Sequence, residues 1–285
     1  MTNQKTVLIT GGNTGIGKQI ALTFAKNNFH VIITSRDASN GEDAAREIID
    51  ATKNKNVSCI QGDLSSIKGC YALVEKVKSE ISSLQVLINN AGVTMMEKVI
   101  NEDGFELTFM VNYLAPYILS TGLTPLLKQN NNGRIINVNT SARMQGMGKL
   151  NIETTPFGSD FKPGWTYNNT KLANAMMTVT LAEQLLDSGI TVNALYPGLY
   201  KTKNSTQKLN SIFMRLIMKI IMLREMSLAI AGEAPYQLAT DEALTRETGQ
   251  FFHMKDKSQF TKKVYDPAER ALLYRKTIAW LGAAS

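Results

Sequence analysis

The chain has little of what several chemistries need. Of 285 residues, two are histidine (His30, His253) and two are cysteine (Cys59, Cys70). No His, Cys, Asp and Glu cluster falls at metal-ligand spacing, which excludes a zinc site, and a Ser-His-Asp triad has too few histidines to draw on. Two separated thiols fit single buried cysteines in a reducing compartment better than a disulfide framework. Charge is also undramatic: 31 basic against 24 acidic residues leave a formal +7. The basic residues are scattered, and no basic tract is interleaved with aromatics. That pattern excludes a nucleic-acid partner and leaves a polyanionic cofactor or acidic lipid. No uninterrupted apolar run reaches the roughly 18 residues of a membrane-crossing helix. A strand beginning about six residues in leaves no room for a leader's charged and apolar regions, so a cytoplasmic location is expected. With no low-complexity linker and no repeat, one domain over residues 1–285 is expected.

What the chain does have is apolar material, 44% of its residues, arranged in alternation. Short β-branched runs predict strands at 7–10, 30–34, 57–60, 86–88, 134–138, 191–195 and 250–252. Amphipathic stretches predict helices near 15–27, 40–52, 66–81, 103–127 and 165–187, with a last one over 267–282. Repeated β-α units imply a parallel sheet covered on both faces. The predicted fold is therefore α/β: a single-domain, doubly wound, Rossmann-like sheet of six to seven strands. In such sheets ligands bind beyond the C-terminal strand ends, so chemistry is sought in the residues after each strand.

After the first strand comes Thr10-Gly11-Gly12-Asn13-Thr14-Gly15-Ile16-Gly17. Glycines let backbone approach an anion, and the helix that follows offers unpaired N–H groups; the corner suits a phosphate. After the second strand stand Ser35 and Arg36. An acid there would hold a ribose 2′-hydroxyl; a cation suits a 2′-phosphate, so NADP(H) is expected over NAD(H). Asp37, next along, weakens that reading slightly. Asp63-Leu64 follows the third strand, where the carboxylate either accepts from an adenine amino group or caps the next helix. Asn89-Asn90-Ala91-Gly92 makes a small turn over which a cofactor can lie flat.

After the fifth strand come Asn139, Thr140 and Ser141. Tyr167 and Lys171 are four apart, hence on one face of a helix. A free tyrosine, pKa about 10, is a poor acid–base at neutral pH. A nearby ammonium is expected to lower it toward the working range. A hydroxyl from Thr140 or Ser141 can bond the substrate oxygen.

Together these residues resemble the short-chain dehydrogenase/reductases over nearly the whole length, most weakly between about 203 and 226 and beyond about 256. The motifs that carry the resemblance are the glycine corner, Asp63, Asn89-Asn90-Ala91-Gly92, Tyr167 with Lys171, and Pro197-Gly198 with Thr202. The local wording (Ser35-Arg36-Asp37, Lys171-Leu172-Ala173-Asn174) is most similar to the retinol dehydrogenase branch. The resemblance implies that Tyr167 is the acid–base and that Lys171 binds the nicotinamide ribose. It implies that Asn112 holds a proton-relay water, that Asn90 and Gly92 flank the ribose, and that Pro197, Gly198 and Thr202 meet the nicotinamide end. Asn13, Thr14 and Ile16 belong to the dinucleotide corner on the same grounds. One departure stands out: where the family shows two serines after the fifth strand, this chain has Asn139 and Thr140. Thr140 keeps a hydroxyl at the second place, and Ser141 is the alternative if the loop shifts by one. The stretch from Gly148 to Trp165 reads as a loop inserted over the site.

Residues 209–223 (Leu209, Ile212, Phe213, Met214 through Leu223) are very apolar with interleaved cations. Three readings compete: a lid over a lipophilic carbonyl or alcohol, packing on the core or on a partner subunit such as a second copy of the chain, or a peripheral membrane contact. The expected function is an NADP(H)-dependent oxidoreductase interconverting carbonyl and alcohol on a retinoid- or steroid-like substrate. The rival is a dinucleotide-binding sensor or scaffold without useful turnover. An epimerase or dehydratase would need a larger sugar-binding region.

Overall fold

The computed structural model describes residues 4–130, 132–198 and 227–283. Eight strands form one sheet: β1 (Thr6–Ile9), β2 (His30–Ser35), β3 (Val57–Gln61), β4 (Val86–Asn89), β5 (Gly133–Val138), β6 (Ile190–Tyr196), β7 (Phe251–His253) and β8 (Asp256–Ser258). Their order is β3-β2-β1-β4-β5-β6-β7-β8. The first seven run parallel; β8 pairs antiparallel to β7. Seven was the most the apolar runs predicted. The eighth strand is polar (Asp256, Lys257, Ser258), and a turn at Met254, with φ +57°, folds it back. No Asn-Gly or Asp-Gly announces that hairpin, so pattern reading misses it.

The strands are buried on both faces because their side chains alternate between two cores. Leu8, Ile32, Leu87, Ile135 and Val192 point into one. Val7, Ile9, Val31, Ile33, Val86, Ile88 and Ile136 point into the other. Helices α1 (Gly15–Lys26) and α2 (Ala38–Thr52) and the helix Glu233–Thr240 cover the second core. The first is covered by α3 (Ile67–Glu80), the helical segments 107–128, α8 (Trp165–Gln184) and the C-terminal helix Pro267–Ala283. In that last helix Leu273 and Leu281 face inward, while Ile278, which the sequence pattern placed among the apolar residues of the helix, is exposed.

The predicted helix over 103–127 is broken in an informative way. It begins only at Leu107, where Glu106 accepts from the Phe109 amide as a cap. It then runs as α4 (Leu107–Phe109), a π-turn (Met110–Leu114), α5 (Ala115–Gly122) and α6 (Thr124–Lys128). Pro116 explains the π-turn. It has no N–H for the carbonyl four residues back, and its ring crowds that carbonyl, which belongs to Asn112. The Asn112 carbonyl accepts from Asn174 Nδ2 on α8 at 3.1 Å. Among the described residues no helix is long and apolar enough to cross a membrane.

Candidate active site

Strands β1 and β4 lie side by side at the centre, where the chain's winding changes direction, and the crevice above them is the expected ligand edge. The two strand ends are stitched together. Thr10 Oγ1 accepts from the backbone amides of Asn90 (3.0 Å) and Ala91 (2.9 Å). Asn90 Nδ2 returns to the Thr10 carbonyl at 2.8 Å. The glycine corner sits on this seam. Gly11 and Gly15 have φ of +62° and +55°, which side chains disfavour. A Cβ on Gly17 would stand 2.3 Å from the Gly11 carbonyl oxygen. Thr14 precedes α1 but its side chain makes no cap, and the first turn carries no acid. The leading amides of α1 thus lack an acceptor from their own helix end, and an anion is the chemical partner they fit. Asn13 is half-buried and Thr14 exposed, while Ile16 packs against the second core.

At the end of β2, Ser35 is buried and its hydroxyl donates to the Asp37 carbonyl at 2.7 Å. Asp37 caps α2 by accepting from the Asn40 amide at 2.8 Å, so its carboxylate has a structural task. Arg36 is exposed and makes no ion pair among the described residues, whereas Lys18 is paired with Glu47. Asp63 is exposed and accepts from the Ser65 amide at 2.9 Å, while the cap of α3 is Ser66. The capping alternative for Asp63 is therefore not what the structure has. Leu64 packs on the first core.

The chemistry-bearing residues meet between β5 and α8. Thr140 is buried, and its hydroxyl stands beside the half-buried Tyr167 phenol, near enough to favour the phenolate. Ser141 instead begins α7 (Ala142–Met147), accepting from the Met144 amide at 3.4 Å. One helical turn from Tyr167, the buried Lys171 sends its Nζ to the Val138 carbonyl at 2.9 Å and stands 5.7 Å from the Tyr167 ring centre. Gly92 lies beside both Lys171 and Asn112: a Cβ there would sit in ordinary contact with Lys171 Nζ, at 3.7 Å, but tightly against Asn112 Oδ1, at 3.2 Å.

The expected lowering of the tyrosine pKa is not found. Burial pushes the Tyr167 phenol up to about 12, helped by the nearby Tyr196; the Thr140 hydroxyl works the other way. Burial equally pushes the Lys171 amine down to about 8. Burial shifts both groups toward their neutral forms, and for Tyr167 desolvation outweighs whatever the ammonium offers the phenolate.

Two asparagines hold this arrangement. The Asn112 amide is held at both ends: Oδ1 accepts from the Val93 amide at 2.8 Å, and Nδ2 donates to the Val93 carbonyl and to Thr170 Oγ1. Asn139 is the hub. Its Oδ1 accepts from the Thr140 amide at 2.7 Å and from Gln145 Nε2, and its Nδ2 donates to the Lys171 carbonyl and to Asn174 Oδ1. Gln145 and Thr170 escaped sequence reading, because nothing in their spacing marks them. Asn139 was visible only as a departure from a pattern. At the end of β6, Pro197 is buried and Gly198 has φ +111°; Thr202 and residues 209–223 lie outside the described residues.

The family profile described as short chain dehydrogenase matches residues 5–211. The chain belongs to the short-chain dehydrogenases. It is similar to retinol dehydrogenase 13 of Homo sapiens, 35% identical over 254 residues, covering 87% of this chain and 76% of that protein. Among solved structures, this dehydrogenase superimposes on the Pseudomonas aeruginosa RhlG/NADP active-site complex with a TM-score of 0.71 at 23% identity, covering 89% and 95% of the two chains. It also superimposes on 3-ketoacyl-(acyl-carrier-protein) reductase from Brucella melitensis complexed with NADH, with a TM-score of 0.68 at 26% identity, covering 89% and 97%. The short-chain dehydrogenase reading of the sequence is thus correct, and the chain is an oxidoreductase of that family, retinol dehydrogenase-like in sequence. Cys59, in β3, and Cys70, in α3, are free thiols.

Proposed function

We propose that this dehydrogenase interconverts an aldehyde or ketone with its alcohol on a lipophilic substrate, using NADP(H). The observation that carries the reading is the Tyr167–Thr140 hydroxyl pair, with Lys171 one turn away, at the same sheet edge as the glycine corner. The corner's amides, uncapped by Thr14, suit the pyrophosphate, and Arg36, exposed and without an ion pair among the described residues, suits a 2′-phosphate. Gly11, Asn13, Thr14, Gly15, Ile16, Gly17, Ser35, Arg36, Asp63, Leu64, Asn90, Ala91, Gly92, Pro197 and Gly198 would line the dinucleotide's path.

When bound, the nicotinamide supplies or takes the hydride at the substrate carbon. The protein manages the proton. Tyr167, held neutral by burial, donates its phenolic proton to the carbonyl oxygen as that oxygen gains charge. Thr140 donates a second hydrogen bond to the same oxygen. Lys171, fixed by the Val138 carbonyl, would bond the ribose and lend positive charge when protonated. A water at the Asn112 backbone carbonyl, which accepts from Asn174 on α8, would serve proton resupply. In the opposite direction the phenolate must form first, which its raised pKa disfavours.

Exposed Met144, Met147 and Trp165 support a lipophilic substrate, as does the likeness to retinol dehydrogenases. NADPH consumption should be followed across aldehydes and ketones graded by chain length and ring size. Turnover that grows with apolar bulk is expected. Tight NADPH binding with a flat negative screen would instead establish a sensor or scaffold.

A further inference from the structure

Thr140 does not hold its hydroxyl idle. Its Oγ1 donates to the thioether Sδ of Met144 at 3.2 Å, at the opening of the site. Thr140 is 4% exposed and Met144 is 38% exposed, so the contact joins a buried donor to a solvent-facing side chain. Helix α7 beneath Met144 is pinned at several points. Ser141 caps it, Gln145 donates to the Thr140 carbonyl at 3.1 Å, and Lys263 Nζ donates to the Gly146 and Gly148 carbonyls. The backbone is a fixed ledge; the unbranched Met144 side chain is the part free to adjust.

Resting on the function proposed above, the geometry points to Met144 as the specificity-determining residue that decides which carbonyl substituent fits beside the catalytic oxygen. The reasoning is one of proton count. The Thr140 hydroxyl has one proton, and it can serve either the sulfur or a substrate oxygen. A thioether is the weaker acceptor, so an arriving carbonyl oxygen takes the proton and Met144 turns aside. Once displaced, the sulfur still lies next to the oxygen's site, because its ledge does not move. It therefore meets the carbonyl's own substituent. Met147, three residues on and also exposed, lies on the same side of α7 and extends the wall. A polarizable thioether and a second methionine make a wall for apolar, unsaturated or cyclic substituents, adaptable in shape but limited in room. The substrate class is narrowed to carbonyls whose carbon carries one bulky apolar group, with Met144 setting the size limit on the side nearest Thr140.

The test uses two arms on the whole chain. In the first, methionine methyl groups are labelled with carbon-13, and the Met144 signal is assigned by its loss in Met144→Leu. Adding cyclohexanone to the protein with NADP+ should shift that signal saturably; a signal that stays in place overturns the inference. In the second, the ratio of kcat/KM for cyclohexanone to that for hexanal is compared between wild type and Met144→Ala. Removing the side chain should raise the ratio about tenfold, the scale of a small change in pocket size. An unchanged ratio overturns the inference and leaves the proposed reaction standing. A wild type that turns over no carbonyl, while the Met144 signal moves, overturns the proposed reaction and keeps Met144 at the ligand. Because Met144 is exposed, unfolding curves of both variants should match wild type.

Discussion

Asn139 donates from its side-chain Nδ2 to the backbone carbonyl of Lys171 at 3.1 Å, tying the end of β5 to the turn of α8 that carries both Tyr167 and Lys171. The Oδ1 of the same side chain accepts from the Thr140 backbone amide. One side chain thereby sets the distance between the two hydroxyls proposed to share the substrate oxygen.

Replacing Asn139 should consequently cost rate more than cofactor affinity. Leaving these buried groups unpaired costs about 1–3 kcal/mol, so Asn139→Ala should lower kcat by roughly tenfold to a hundredfold. Asn139→Asp keeps both acceptor contacts but sets a carboxylate against the Lys171 carbonyl and Asn174 Oδ1, and should do worse than Asn139→Ser. Steady-state kinetics beside NADPH titration decide it: equal losses in kcat and in NADPH affinity would mean a general loss of packing.

Tyr167→Phe should remove the proton donor without disturbing the dinucleotide corner. Turnover should fall by about 10²–10⁴, with NADPH binding unchanged. Because burial holds the phenol at about 12, Tyr167 stays protonated at neutral pH and is ready as an acid. Carbonyl reduction should therefore vary little between about pH 6 and 8, whereas alcohol oxidation should climb with pH. A reduction rate that falls steeply across that interval would argue for a different proton donor.

Arg36 stands exposed at the end of β2 without an ion-pair partner among the described residues. If it binds the 2′-phosphate, Arg36→Ala should weaken NADPH about tenfold or more, the scale of a hydrogen bond to a charged group. NADH should be nearly unaffected. Comparing the two dissociation constants before and after the change tests this, and an unaltered ratio removes Arg36 from the cofactor site.

Burial of Lys171 lowers its pKa from 10.5 to about 8, so the folded chain binds fewer protons there than the unfolded chain between those values. Stability must then rise with pH across that window. Below about 8 both states are charged, and the native state bears the full cost of the buried ammonium, up to about 3 kcal/mol at 1.36 per unit. Lys171→Met should be more stable than wild type at neutral pH, with the gap closing as pH rises from 8 toward 10.5. Urea unfolding of both proteins at several pH values reads this out; a gap independent of pH would show that the ammonium is not the cause.

Much of this was legible in the chain itself. Strand and helix order follow from the period of apolar residues, and the glycine corner is legible because backbone that turns at φ +62° and +55° calls for glycine. Tyr167 and Lys171 are legible because four residues is one helical turn. Less could be read where partners are distant in sequence. The π-turn at Met110–Leu114 was missed, although Pro116 in its wake was a local signal of it. The polar strand β8 carries no apolar period at all.

By itself, then, the sequence determined the α/β winding, the anion corner and the candidate acid–base pair, since each depends on residues a few positions apart. Tertiary structure alone decided the rest. It committed Ser141 to capping α7 and set Thr140 beside Tyr167, because only the fold sets which hydroxyl faces α8. It made Asn139 the hub by bringing β5 against α8. It also reversed the expected pKa of Tyr167, since desolvation depends on everything packed around a group and not on one neighbour four residues away.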